Sequence, residues 1–226
     1  MNPLILYVDD DLLVANKPAG LATVPGGWEQ DVPSLLQQLE QEFGRLWIVH
    51  RLDRVTSGVI VFARKAEVHR TLSMLFESRE VHKIYHAIVC GIPPWDEHTA
   101  RHPLRFDVGH NHRTMVDHSR GKPSETAFRV LERYPVFSLL EARPGTGRTH
   151  QVRVHASLLG FPLLGDRLYG SQDTDLIARP ALHAQVLEFE FDGRPNSFTA
   201  PYPDDFKAAL HALRSARPAR RPHFTP

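Results

Sequence analysis

An α+β domain on a mixed, mainly antiparallel sheet with flanking helices is predicted over residues 1–213. Three observations lead there. Strand-like apolar segments outnumber those with a helical period. The connections between strands are often short, unlike alternating βαβ units. Neither GxGxxG nor GxxxxGKS/T occurs, so no loop that cradles a dinucleotide or NTP phosphate chain is expected.

The elements follow in order. LILYV and LLVAN are apolar segments split by Asp9-Asp10-Asp11, a hairpin pattern. Lys17-Pro18-Ala19-Gly20 and Pro25-Gly26-Gly27 mark loops. Pro33 is expected to open a helix whose Leu35, Leu36, Leu39 and Phe43 share a face, since proline suits the first helical position. HRLDRVTSG (50–58) reads as a loop running into a strand over 58–63. Leu72, Leu75 and Phe76 give residues 66–80 helical spacing, and Lys83–Val89 alternates as a strand. The Pro-, His- and charge-rich segment 92–124 reads as loops and short strands. Residues 125–142 hold two strands split by Tyr134-Pro135. RTHQVRVH (148–155) also fits period two, but Val152, Ala156 and Leu159 share a helical face and Gly160 can end the turn, so helix is preferred. Ala181–Phe191 is a strand and 204–213 a closing helix. From Arg214 onward the chain is basic and Pro-rich, and a disordered tail over 214–226 is expected.

Composition excludes several classes. The 226 residues are 42% hydrophobic and 23% charged, enough for a sizeable core. No apolar run approaches the roughly 20 residues of a membrane helix. MNPLILYVDDD lacks a basic n-region, so no signal peptide is expected. The single cysteine, Cys90, excludes an internal disulfide framework and fits a reducing compartment, so the expected location is cytoplasmic. A monomer is the default expectation. The net charge is +1, from 27 Lys and Arg against 26 Asp and Glu, so nucleic-acid binding must rest on local clusters of charge. Fourteen histidines raise the question of a metal. Cys90 stands alone and no HExxH occurs, so no metal site is expected.

Asp53 lies between Arg51 and Arg54 at the mouth of an apolar strand. On the surface this would be an ordinary ion pair, contributing roughly 0–1 kcal/mol. In a pocket, burial would raise the pKa of the carboxyl and a guanidinium would oppose that shift. An ionised Asp so held suits a nucleophile or an electrostatic stabiliser. Arg148, His150, Arg153 and His155 crowd into eight residues. They form either a solvated basic helix face or, at the positive end of a helix, a site for anions. His150 and His155 fit anchors better than acids. Tyr85 in KIYHAIVCG is either a core aromatic or a ring that stacks on a planar base and offers a phenol for proton transfer.

HRLDRVTSG with GVIVFARKAE, KIYHAIVCG (83–91) and GRTHQVRVH (147–155) together resemble the RluA-type family of pseudouridine synthases. LLGDRLYG (163–170) and RPALHAQVLEF (179–189) match as well, in the family's order. The His that opens HRLD, and the lack of a small RNA-binding domain before residue 4, favour this family over its RsuA-type relatives. The resemblance implies a mainly antiparallel sheet with a central catalytic cleft. It also implies isomerisation of uridine to pseudouridine in rRNA or tRNA, with no cofactor and no metal. Asp53 would be the catalytic aspartate, Arg148 its ion-pair partner and Tyr85 the aromatic under the target base. Arg51 would fill the space of the flipped nucleotide, Leu182 would be an apolar cleft residue, and Arg54 would contact phosphate. A basic stripe of Arg51, Arg54, Arg64, Lys65, Arg70, Arg79, Arg148 and Arg153, with the tail, would meet the RNA. FEFDGRPNSF replaces the His-Pro turn that often follows the ALHA strand, and segment 96–122 matches only loosely. Two rivals stand beside this reading. One is a non-catalytic RNA-binding protein of the same fold. The other is an Asp-dependent N-glycoside hydrolase, which needs a second acid that Asp166 would have to supply.

Overall fold

The computed structural model describes residues 4–26, 33–108, 113–172 and 174–215. The expected hairpin is β1 (Ile5–Val8) with β2 (Leu12–Lys17), antiparallel across the Asp9–Asp11 turn. Helix α1 (Leu35–Phe43) starts two residues later than expected. Ser34, not Pro33, caps it, and its hydroxyl and the Gln37 side chain satisfy each other's backbone N–H groups. A two-residue strand that the sequence reading did not separate, β3 (Trp47–Ile48), pairs with β4 (Ser57–Ala63). Helix α2 (Ala66–Glu77) stops short of the expected residue 80, because Arg79 turns left-handed at φ 65°.

Strand β5 (His82–Cys90) follows. The weakly patterned middle resolves into β6 (Glu97–Arg101), β7 (Leu104–Val108) and β8 (Arg113–Val116). The expected strand pair is β9 (Glu125–Arg133) and β10 (Phe137–Pro144). RTHQVRVH does become helical, as α3 (Gln151–Leu158), and a short 3-10 turn spans Arg167–Tyr169. β11 (Leu182–Phe191) then pairs with β12 (Arg194–Thr199), a strand that the sequence reading missed. Asp192 and Gly193, at φ 52° and 67°, make the tight turn between them, since both central residues of such a hairpin need positive φ. Helix α4 (Asp204–Ser215) runs two residues past the expected 213, and Arg214 forms an ion pair with Glu132. Residues 216–226 of the expected tail, like Gly27, His110 and His112, lie outside the described residues.

The sheet runs β1-β2-β4-β11-β5-β10-β9-β6. Its strand pairs are antiparallel except β4 with β11, where His183 and Ala184 run beside Ser57 and Gly58. Every residue of β4 is buried. Alternation along β5 and β10 separates two cores. Ala87, Val89, Leu140 and Ala142 pack with Val152 and Ala156 of α3. Ile88 and Leu139 pack with Phe206, Ala209 and Leu210 of α4. Thus α3 and α4 cover opposite faces. Tyr85, in step with Ala87 and Val89, faces the α3 side and touches both its core and the one built around β2, β4, α1 and α2. Among the described residues no helix is long and apolar enough to cross a membrane.

Candidate active site in the central cleft

A cleft of about 800 Å³ opens between the 50–56 loop, β5 and the turn before α3. It gathers Asp53, Tyr85, Arg148, Arg51, Arg54 and Leu182, six of the seven predicted site residues, along one wall or another.

The loop carrying Asp53 is held from three sides. Its backbone closes a turn, with Thr56 N–H donating to Asp53 O at 3.0 Å. In front, Lys17 is wholly buried, and its Nζ donates to Pro18 O, Leu21 O and Arg54 O at 2.9, 2.7 and 3.1 Å. Burial pushes the Lys17 ammonium down to about 7, against the pull of the Asp53 carboxylate. Arg54 returns the tie, with Nε donating to Gly20 O at 2.8 Å. Behind the loop, Arg179 Nη1 donates to Val55 O and Leu182 O at 3.3 and 3.2 Å, and its Nη2 donates to Ser57 Oγ at 3.2 Å. The same guanidinium grips Asp205 at the start of α4 through Nε and Nη2, at 2.7 and 3.0 Å. Gly58 then lets β4 pass against β11. A Cβ there would lie 2.1 Å from Ala184 O, and φ is 120°. Loop and sheet are thereby locked at the point where Asp53 enters the cleft.

The Asp53 side chain is about 28% exposed and faces His150 Nε2 at 3.9 Å. His150 sits left-handed at φ 55° just before α3, and its Nδ1 bonds Tyr169 Oη at 2.9 Å. Burial lowers its imidazole pKa, while the Asp53 charge pulls the other way. Arg148, expected as the ion-pair partner of Asp53, lines the same cleft, but its Nε donates to Pro123 O at 3.4 Å and no ion pair with Asp53 forms. The physical reason is the turn at Thr149-His150, where the left-handed His150 takes the place beside the carboxylate while Arg148, just before it, reaches the Pro123 carbonyl.

Tyr85 forms a wall of the cleft with Leu182, which is 4% exposed. Burial first, and the Asp53 charge second, push its phenol pKa well above the ordinary value, so the phenol keeps its proton at neutral pH. His50 is structural. Its Nε2 accepts from Val61 N–H at 3.2 Å, its ring stacks on Phe76, and burial with the Lys83 charge lowers it to about 3.

Arg153 is the seventh predicted residue, and here the expectation of RNA contact fails. It lies on the inner face of α3, 5% exposed, with Nε and Nη2 on the two carboxylate oxygens of Asp166 at 2.7 and 2.8 Å. Asp166 is 1% exposed, so this pair is sealed from RNA, and the same seal removes Asp166 as a second acid for hydrolysis. His155 is an anchor, as expected, held between Ser124 Oγ and Thr126 Oγ1. Arg64 and Lys65 also leave the stripe, because they bind Asp9 O and Asp11 at the β1–β2 turn. The sequence reading missed Lys17, Lys83 and Arg179. Each stood inside a quoted segment (NKPAG, KIYHAIVCG, RPALHA) with no pattern to show where its head group goes.

The cleft therefore holds a carboxylate, an apolar and aromatic wall, and Arg51, Arg54, Arg79, Lys83 and Arg148 against Glu77 as its other acid. That suits a planar base attached to a polyanion. Comparison with known proteins agrees. The family model "RNA pseudouridylate synthase" matches residues 11–158. The Dual-specificity RNA pseudouridine synthase RluA of Escherichia coli (strain K12) is 39% identical over 206 residues, covering 90% of this chain and 94% of that protein. Human RNA Pseudouridylate Synthase Domain Containing 4 superposes with a TM-score of 0.78 at 26% identity, over 93% of this chain and 92% of that one. Human RNA Pseudouridylate Synthase Domain Containing 1 gives 0.73 at 28% identity, over 94% of each. With its fold, its cleft and its sequence in agreement, the chain belongs to the RNA pseudouridylate synthase family, of the RluA type.

Proposed function

We propose that this chain isomerises uridine to pseudouridine in rRNA, tRNA or both, with Asp53 as the catalytic carboxylate. The observation that carries the reading is the Asp53 carboxylate in a cleft that joins a base-sized aromatic wall to a cationic rim. The C1′–N1 bond breaks, the uracil turns, C1′–C5 forms, and the proton on C5 is lost while N1 gains one. An Asp that acts as a nucleophile divides this into easier steps. The uracil must be held meanwhile, and Tyr85 with Leu182 supplies an apolar slot for its faces. Because the Tyr85 phenol keeps its proton, it serves first as a platform and donor. The Asp53 carboxylate, freed when C5 bonds to C1′, is then the base at hand for the C5 proton.

Arg51 is exposed at the rim and suits the gap left by a flipped nucleotide, offsetting part of the unstacking cost of a few kcal/mol. Arg54 and Arg148 suit phosphates. His150 orients the Asp53 side chain. The reaction calls for no cofactor and no metal. The reading includes a cytoplasmic, monomeric enzyme, for which the lone thiol of Cys90 suits a reducing compartment.

The test is tritium release from tRNA and rRNA pools labelled at uridine C5, in EDTA, with nucleoside analysis of the product. Wild type should release tritium and form pseudouridine, while Asp53→Asn should bind RNA and release none. Free uracil as product would point to hydrolysis instead. Full turnover by Asp53→Asn would remove the carboxylate from the mechanism.

A further inference from the structure

Two cations at one end of the cleft have no partner among the described residues. Arg79 ends the α2 connection in the left-handed region, at φ 65°, where a non-glycine residue is strained. Lys83 lies on β5, half-buried, two residues before Tyr85. Among the described residues neither head group makes a hydrogen bond or an ion pair. Glu77 lines the cleft nearby, but the notch that opens beside the two cations is lined by basic and apolar residues without an acid. A notch of about 120 Å³ continues from the cleft past Arg79 and Lys83 to His82 and Arg143. Arg143 is already committed to Glu141, through Nε at 2.8 Å. The charge that Lys83 senses most from the protein is that of Arg79, which together with burial lowers its pKa. Two like charges brought together with a strained backbone make a site prepared for an anion from outside.

The place of the pair says which anion. Lys83 and Tyr85 are alternate residues of one strand and both line the cleft, so they stand about 7 Å apart on one face. A nucleotide whose base lies against Tyr85 brings its own or its neighbour's phosphate within reach of Lys83. We infer that Arg79 and Lys83 form a clamp for a single RNA backbone phosphodiester beside the target uridine. This rests on the proposal that Tyr85 receives the target base. The clamp sets the direction in which the RNA strand leaves the cleft, across β5 toward the end of β10 at Pro144 and Gly145.

Counterion release measures the clamp. Each phosphate neutralised on single-stranded RNA contributes roughly 0.7 to the slope of log affinity against log salt. The probe is a tRNA or rRNA transcript that the wild-type enzyme turns over in the tritium assay. The readout is kcat/KM across a series of NaCl concentrations. If Arg79 and Lys83 share one phosphate, the Arg79→Gln/Lys83→Gln double variant loses about 0.7 of slope. Over a fourfold rise in salt the wild type then loses roughly 2.5-fold more kcat/KM than the variant. The charge-retaining pair Arg79→Lys/Lys83→Arg should restore the slope, which a merely structural role would not do. Lys207→Gln on α4, away from the cleft, should leave the slope alone and controls for net charge. An unchanged slope in the double variant overturns the clamp, and a loss of about 1.4 overturns the sharing of one phosphate. Absence of tritium release by wild type would count against the reaction itself, so the two failures are distinct.

Discussion

Arg153→Met separates a structural arginine from an RNA-binding one. The substitution keeps much of the apolar stem and removes the guanidinium from Asp166, leaving a carboxylate that is 1% exposed with neither N–H donor of its bidentate pair. Breaking a buried pair from one side costs about 3–5 kcal/mol. Arg153 also lies over the Tyr169 ring at 5.0 Å, and Tyr169 bonds His150, so part of the loss is passed to the cleft. At about 2.1 cal/mol/K per residue, unfolding 226 residues carries an entropy near 0.5 kcal/mol/K, so the melting temperature should fall by roughly 6–11 °C. The Arg153→Met/Asp166→Leu double variant leaves no unpaired charge and should recover most of that loss. Thermal melts followed by circular dichroism measure both. The salt slope of kcat/KM for folded Arg153→Met should equal that of wild type. A variant that melts like wild type but shows a shallower salt slope would refute the buried-pair account and return Arg153 to the RNA surface.

Two further outcomes follow from the same packing. Gly58→Ala drives a methyl into the Ala184 backbone and should cost about 3–5 kcal/mol, whereas Gly20→Ala, with no atom within 4 Å and only an unfavourable φ, should cost about 1. Similar urea midpoints for the two would show that the β4–β11 contact is not the constraint. Burial holds His50, His155 and His183 at about 3, 4 and 4, below the ordinary imidazole value near 6.5. Between those limits the unfolded chain binds more protons than the native one, so stability is fully present above about pH 6.5 and falls as pH drops toward 4. With all three titrating, the slope approaches about 4 kcal/mol per pH unit. His155→Gln, whose amide can meet Ser124 and Thr126, should flatten it by about a third, and urea melts that do not change over this range would contradict the buried neutral state.

The sequence by itself determined most of the elements and named six residues that line one cleft. Alternation in 83–89 and the helical face of Val152, Ala156 and Leu159 are local properties of the chain, and both were realised. Taken alone, HRLDRVTSG left Asp53 between an ordinary ion pair and a held carboxylate, and only the motif's resemblance to a known family assigned it the catalytic role. The chain's local pattern said less about β3, only two residues long, and about the middle strands, of which β6 pairs with the distant β9 and β7 and β8 pair with each other in a small separate sheet. β12 was announced by Asp192-Gly193, yet Pro195 and Asn196 masked its alternation.

Only the tertiary structure decided what the charged side chains do. RTHQVRVH presents Arg148, His150, Arg153 and His155 as equals, but a helix packed on a sheet has an inside and an outside. Arg153 and His155 turned inward to Asp166 and to the Ser124 and Thr126 hydroxyls, while His150 met Asp53. The same holds for Lys17, Lys83 and Arg179. A long side chain reaches several ångströms from its backbone, and its partner is set by which carbonyls, carboxylates or empty spaces the folded sheet brings there.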